Sequence, residues 1–145
     1  MEITSNSDWA AFGIVPVIKE GDYFILLIKE GSDPERGIEY KNSYWKLPGG
    51  RQKRGEDETE TLVREINEEL GAKVKVTDWV ETIEKSDHDF VCFLTSAVHP
   101  KKIKKNEEVE EIKLASLKDI KELIERNKIL TSHEKVLKKA FPNLL

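Results

Sequence analysis

The 145-residue sequence is poor in several features that usually announce a class. It has one cysteine, so Cys92 can form neither an internal disulfide nor a cysteine-built zinc cluster. A single thiol suits a reducing compartment, and a cytoplasmic protein is expected. No apolar run approaches the roughly 20 residues that span a bilayer, so no membrane partner is expected. Residues 1–8 have neither the basic start nor the apolar middle of a secretory leader and are expected to form a flexible tail. The net charge is only −4, and its acidic sign argues against a nucleic-acid backbone as a stable partner. His88, His99 and His133 are scattered and make no ligand pair or triad. No repeat, low-complexity segment or linker divides the chain. Its length suits one domain, residues 1–145, large enough to bury a real core.

What is abundant is charge, with 28 acidic residues against 24 basic ones. Either the carboxylates are spread over a solvated surface, or some are gathered for a purpose.

Residues 11–17 and 23–28 are apolar and rich in β-branched and aromatic side chains, with Glu20-Gly21-Asp22 between them. The pattern predicts a hairpin. Pro16 suits an edge or a bulge better than a central strand. The polar stretch 30–43, with Gly31, Pro34 and Gly37, reads as a long loop, and long loops are often functional. Residues 44–47 carry a short strand signal that stops at Pro48-Gly49-Gly50. Residues 57–70 form the clearest helix. Asp57 with Glu60 makes a capping box, Gly71 supplies the stop, and Leu62, Val63, Ile66 and Leu70 share one face. Strands are predicted at 74–83 and 90–98, with a weaker one at 111–115. Helices follow at 116–126 and 131–141, opening with Ser116 and Asp119 and with Thr131 and Glu134. This order favours a mixed α/β sandwich over a doubly wound parallel sheet.

On a helical wheel Glu58, Thr61, Glu65, Glu68 and Glu69 fall on one flank of the 57–70 helix. Glu65, Glu68 and Glu69 are neighbours at i+3 and i+4 spacing. Arg64 is placed off this flank, where it could pair with Glu60. Like charges so spaced destabilise a helix by a few tenths of a kcal/mol per pair. Carboxylates near the C-terminal end also oppose the helix dipole. Two readings follow: a solvated acidic face, or a divalent-cation site whose ion relieves the repulsion.

The flanking residues separate them. Gly50 is followed by Glu56 after five residues. Seven more lead to Arg64-Glu65-Ile66-Asn67-Glu68-Glu69-Leu70-Gly71-Ala72. This run closely resembles the Nudix box, G-x5-E-x7-R-E-U-x-E-E-x-G-U, with U a bulky aliphatic. Seven fixed letters match by chance on the order of once in 10⁸ starting positions. Trp45-Lys46-Leu47-Pro48-Gly49-Gly50 looks like the family's lead-in. Ala72 departs from the last aliphatic position, and Thr61 and Leu62 stand where small alanines are frequent. The box covers residues 50–72, and the order of elements extends the resemblance over most of the chain.

The resemblance implies an α/β/α sandwich with a central mixed sheet. It implies hydrolysis of a nucleoside diphosphate linked to another moiety, with Mg²⁺ or Mn²⁺ at Glu65, Glu68 and Glu69 and the Gly49 backbone among the ligands. A triphosphate, a dinucleoside polyphosphate or ADP-ribose would suit, a triphosphate slightly the best by analogy. Gly49 and Gly50 let the backbone turn tightly and approach a ligand closely, and Gly55 can adopt positive φ before the helix. Glu56 and Arg64 could clamp the loop to the helix. Glu65 could be a ligand, the base that activates water, or both in turn.

A late segment, residues 106–114, resembles the family's second acidic element. There Glu108 is the first candidate for a further ligand or base and Glu111 the second. The alternative is a solvated acidic loop balanced by Lys101, Lys102, Lys104 and Lys105. Tyr44, Trp45 and Phe90 could stack a base or belong to the core. Arg36, Arg51 and Arg54 could contact phosphates. The partner expected is thus a nucleotide, bound by a monomer or homodimer. The rival reading is a catalytically silent nucleotide sensor on the same scaffold. A third reading, a calcium-binding protein, would require a loop of alternating oxygen ligands and glycine that this sequence lacks.

Overall fold

The computed structural model describes residues 8–30 and 44–145. Arg36, most of the expected long loop and the expected tail except Asp8 lie outside those residues. Asp8 itself is tied down, its carbonyl accepting from the Asp89 N–H at 3.0 Å.

Two sheets form the middle layer. The first joins β4 (Gly49–Arg51), β1 (Trp9–Ile14), β6 (Asp89–Thr95) and β5 (Val76–Ile83) in that order. β1 runs parallel to β6, while the other pairs are antiparallel, so the sheet is mixed. The second is antiparallel, β2 (Pro16–Lys19), β3 (Asp22–Glu30) and β7 (Val109–Ala115).

The strand alternation builds two cores. Ala11, Leu26, Ile28, Val91 and Phe93 point one way, towards Leu62, Ile66 and Leu70 of α1 (Glu58–Leu70). Ala10, Phe12, Ile14, Ile25, Leu27, Phe90 and Cys92 point the other way, into a cluster with Ile120 of α2 (Leu117–Glu125) and Val136 and Leu137 of α3 (Thr131–Ala140). A period of two along strands, with the stripe of α1 on one side and α2 and α3 on the other, gives three layers. Gly13 lets α1 sit close: a Cβ there would be 3.2–3.3 Å from Thr95, Ile66 and Leu62 side chains. Each fully buried Leu or Ile of α1 is worth about 1.5–3 kcal/mol.

Three local expectations change. The stretch 11–17 is not one strand: it breaks at Val15, and Pro16 opens β2, an edge strand where a missing N–H costs least. The expected hairpin is therefore β2–β3. After Pro48 the chain continues as β4, paired with β1, and at Gly49 the approach leaves no room for a Cβ against the Ala11 carbonyl. Thr131 does not cap α3; Leu130 occupies the cap without a side-chain bond.

Candidate functional site

α1 begins and ends as its sequence dictates. Asp57 accepts from the Glu60 N–H at 2.8 Å while Glu60 accepts from the Asp57 N–H at 3.1 Å. Gly71 closes the helix at φ 64°. The carbonyls left open in the last turn are taken by the loop after β6. Asn106 Nδ2 donates to the Glu68 carbonyl, the Asn106 N–H to that of Glu69 and the Lys104 N–H to that of Leu70, at 2.9, 2.9 and 2.7 Å.

This fixes the acidic flank against the strand-to-loop turn at β4. The Gly49 N–H donates to Glu69 Oε1 at 2.8 Å, and Glu69 is buried. Gly49 has φ +144°, and a Cβ there would collide with the Ala11 carbonyl oxygen. The Glu65 carboxyl lies where a Gly50 side chain would begin, its Cδ 2.7 Å from that Cβ position. The two glycines are thus the floor on which Glu65 and Glu69 rest.

Arg64 organises the rest. Its Nε donates to Glu56 Oε2 at 2.6 Å and its Nη2 to Glu56 Oε1 at 3.0 Å. Nη2 also donates to the Arg51 carbonyl at 3.0 Å. Nη1 reaches Glu65 Oε1 at 2.9 Å and Glu68 Oε2 at 3.1 Å. Lys53 Nζ stands 3.7 Å from Glu68 Oε1. The placement of Arg64 off the flank, paired with Glu60, is therefore wrong. Glu60 is held by the capping box, and an arginine four residues before Glu68 lies one turn beneath it. The acidic flank carries its own cations.

The charges follow this geometry. The Arg64 guanidinium holds the Glu56 carboxyl down to about 2, helped by the Lys53 N–H and the Thr61 hydroxyl. Burial pushes the Glu65 carboxyl up, Glu68 adds to this, and Arg64 and Lys46 oppose it. Thr61, a departure from the usual alanine, is a hydrogen-bond node: it donates to Glu56 Oε1 at 3.1 Å and accepts from Trp9 Nε1 at 3.3 Å.

The remaining candidates are spread out. Glu108 is exposed, its N–H bound to Asn106 Oδ1 at 3.1 Å, which ties its backbone to the residue that caps α1. Glu111 pairs with Lys29 at 3.4 Å. Lys29 Nζ lies 4.5 Å and Lys113 Nζ 6.0 Å from the Trp45 ring centroid, so cations already cover that indole. Arg51 turns to His88 Nδ1 at 3.3 Å and Asp87 at 4.0 Å, and Arg54 is exposed. Tyr44 is half-buried, and Phe90 is buried, stacked on Phe12 at 4.6 Å. Cys92 is buried in the α2–α3 core.

One residue passed over in the sequence stands out. His133 is buried, and its Nδ1 accepts from the Leu47 N–H at 3.0 Å. Its place on α3, three and four residues before Val136 and Leu137, was the signal: the spacing puts it on the apolar face.

A hard divalent cation takes oxygen ligands, and the donor chemistry of Glu65, Glu68 and Glu69 fits one. No side chain separates Glu65 from the backbone at Gly50, so the carboxylates meet an open strip of peptide. Among the described residues no three acidic, histidine or cysteine side chains converge closely enough to form a metal-holding group. Arg64 and Lys53 stand against the carboxylates instead.

The NUDIX domain family model matches residues 8–139. No curated protein matches the chain. Solved structures share the fold at low identity. A mutT/nudix family protein from Listeria innocua is 22% identical, with a TM-score of 0.73, covering 96% of this chain and 94% of its own. An Ap4A hydrolase from C. elegans is 18% identical at 0.68, covering 94% and 97%. A MutT protein from Methanosarcina mazei Go1 is 17% identical at 0.68, covering 94% of each chain. With the box at residues 50–72 folded as a strand, a turn and an acid-flanked helix, the chain belongs to the NUDIX domain family of hydrolases.

Proposed function

We propose that this protein is a Mg²⁺-dependent pyrophosphohydrolase, with Mn²⁺ as an alternative, that cleaves a nucleoside diphosphate linked to another moiety. Nucleoside triphosphates, dinucleoside polyphosphates and ADP-ribose belong to that class. The observation that carries the reading is the seat of Glu65 and Glu69 on the Gly49–Gly50 backbone, with Arg64 joining Glu65 and Glu68 to Glu56.

Glu65, Glu68 and Glu69 would hold the cation, with Glu108 and the Gly49 backbone as further candidates. When bound, the ion would polarise phosphoryl oxygens and lower the pKa of a coordinated water. Glu65 Oε2, the oxygen that Arg64 does not hold, is suited to take a proton, because burial raises its basicity. Arg64 keeps Glu65 and Glu68 in place and offsets their repulsion. Arg51 and Arg54, with Arg36, are proposed phosphate contacts, and Trp45 a proposed base contact. Arg64 and Lys53 offset part of the acidic charge, and a divalent cation would offset more of it against a polyanionic substrate.

A substrate panel with Mg²⁺, reading phosphate, pyrophosphate and monophosphate release, tests this. Glu68→Gln and Glu69→Gln run beside the wild type. Turnover with a large loss in both variants is expected. Wild-type activity in both variants sinks the metal assignment, and tight nucleotide binding with no turnover on any substrate identifies a sensor instead.

A further inference from the structure

We propose that His133 is a positioning residue for the acidic site: it orients the Gly49 N–H that holds Glu69. The inference rests on the reading of Glu69 as a cation ligand.

The peptides leading into the glycines are each fixed by a different element. The Trp45 N–H donates to the Lys128 carbonyl at 2.8 Å, and the Trp45 carbonyl accepts from Leu130 at 3.1 Å. Lys46 exchanges both bonds with Ile28 at 2.9 Å. The Pro48 carbonyl accepts from Gly13 at 3.0 Å, and the Gly49 N–H donates to Glu69 at 2.8 Å. The Leu47 N–H goes to the side chain of His133, at Nδ1.

Leu47 and Pro48 carry the backbone from that amide to Gly49. Proline's φ is locked near −65°, which removes one of the torsions through which the tilt of the Leu47 peptide could be lost before Gly49. Phe12 packs between the two ends. Its ring centroid is 4.7 Å from that of His133, and its Cδ1 is 2.8 Å from where a Gly49 side chain would begin. Phe90, stacked on Phe12, lies 4.9 Å from the imidazole. The buried imidazole is thus packed edge-on against both phenyl rings.

The bond requires an unprotonated Nδ1, which places the single proton on Nε2. Burial and the nearby cations Lys46 and Lys85 hold the imidazole neutral. A filler of the apolar layer alone would be served as well by leucine. A histidine supplies what leucine cannot, the acceptor that this buried amide has among the described residues.

The experiment compares His133→Leu, which keeps bulk without an acceptor, with His133→Asn, whose Oδ1 replaces Nδ1 but lacks the ring. Three quantities are read on metal-free protein: Gly49 amide exchange by NMR, the Mn²⁺ dissociation constant and denaturant stability. In His133→Leu, Gly49 exchange should accelerate beyond the change in global stability, and Mn²⁺ should bind about tenfold more weakly. In His133→Asn both should stay within about twofold of wild type, even though stability falls. Gly49 exchange that merely tracks global unfolding in His133→Leu overturns the proposal. So does an equal Mn²⁺ loss in the two variants. If His133→Leu does not fold, His133→Asn decides alone, and lost Gly49 protection there refutes the role. Unchanged Mn²⁺ affinity in Glu69→Gln would reject the cation site itself, while Gly49 exchange still reports on His133.

Discussion

Arg64 and Glu56 meet as a two-point fork, Nε on one carboxylate oxygen and Nη2 on the other. Both side chains are more than four-fifths covered. The fork ties the loop after β4 to the second turn of α1, and the same guanidinium then reaches Glu65 and Glu68. Lysine cannot replace it, since a single ammonium lacks the planar pair of donors. Arg64→Lys should lower stability by about 1–3 kcal/mol. The denaturation midpoint checks this. Loss of the acidic geometry should lower metal affinity as well, read by Mn²⁺ titration.

The pH dependence has a definite sign. Glu56 titrates at about 2 in the folded protein against an ordinary 4.5. A depressed carboxyl contributes stability above the unfolded value and loses it as pH falls through the folded one. The stability difference between wild type and Glu56→Gln should be full above about pH 4.5 and shrink towards pH 2. Glu65, raised by burial, works in the opposite direction, so the paired variant is needed to isolate the Glu56 contribution. A difference that is flat with pH would contradict the fork.

Gly49 and Gly50 should fail in different ways. Gly49→Ala combines positive φ with a backbone collision and should cost at least about 3 kcal/mol or prevent folding. Gly50→Ala meets only the end of the Glu65 side chain, which can swing aside. Its stability should change by no more than about 1 kcal/mol, while turnover and metal affinity fall sharply. Thermal melts set beside activity assays separate the two.

Asn106→Ala removes the side-chain bond to the Glu68 carbonyl and the acceptor for Glu108. A loss of about 1 kcal/mol is expected from the helix end. If Glu108 takes part in turnover, activity should fall in Asn106→Ala and fall no further when Glu108→Gln is added. A double-mutant cycle measures this.

Much of the structure was legible where local rules act. The α1 capping box, the Gly71 stop and the Leu62, Ile66 and Leu70 face depend on residues close in sequence, and they fold as read. The Glu56–Arg64 pair was readable for the same reason, with the box to point at it. Other features depend on distant partners. Strand β4 exists because β1 lies beside it, and β1 and β2 part company because they serve different sheets. Periodicity cannot show either. Arg64 was misplaced because a wheel treats side chains as points, and a guanidinium reaches across roughly a turn. His133 was overlooked as one of three scattered histidines, since its partner is an amide with no sequence signature.

The spacing of these contacts sets a ladder of closure costs. Glu56 and Arg64 are eight residues apart, Gly49 and Glu69 twenty, Leu47 and His133 eighty-six. Loop closure costs (3/2)RT ln n, so bringing the last pair together is harder than the first by about 2 kcal/mol. In refolding, the acidic helix and its arginine clamp can form as a local unit. The imidazole latch must wait for the C-terminal helix to dock. By closure entropy the acidic half of the site is the cheaper part to bring together, and the brace behind its glycines the costlier.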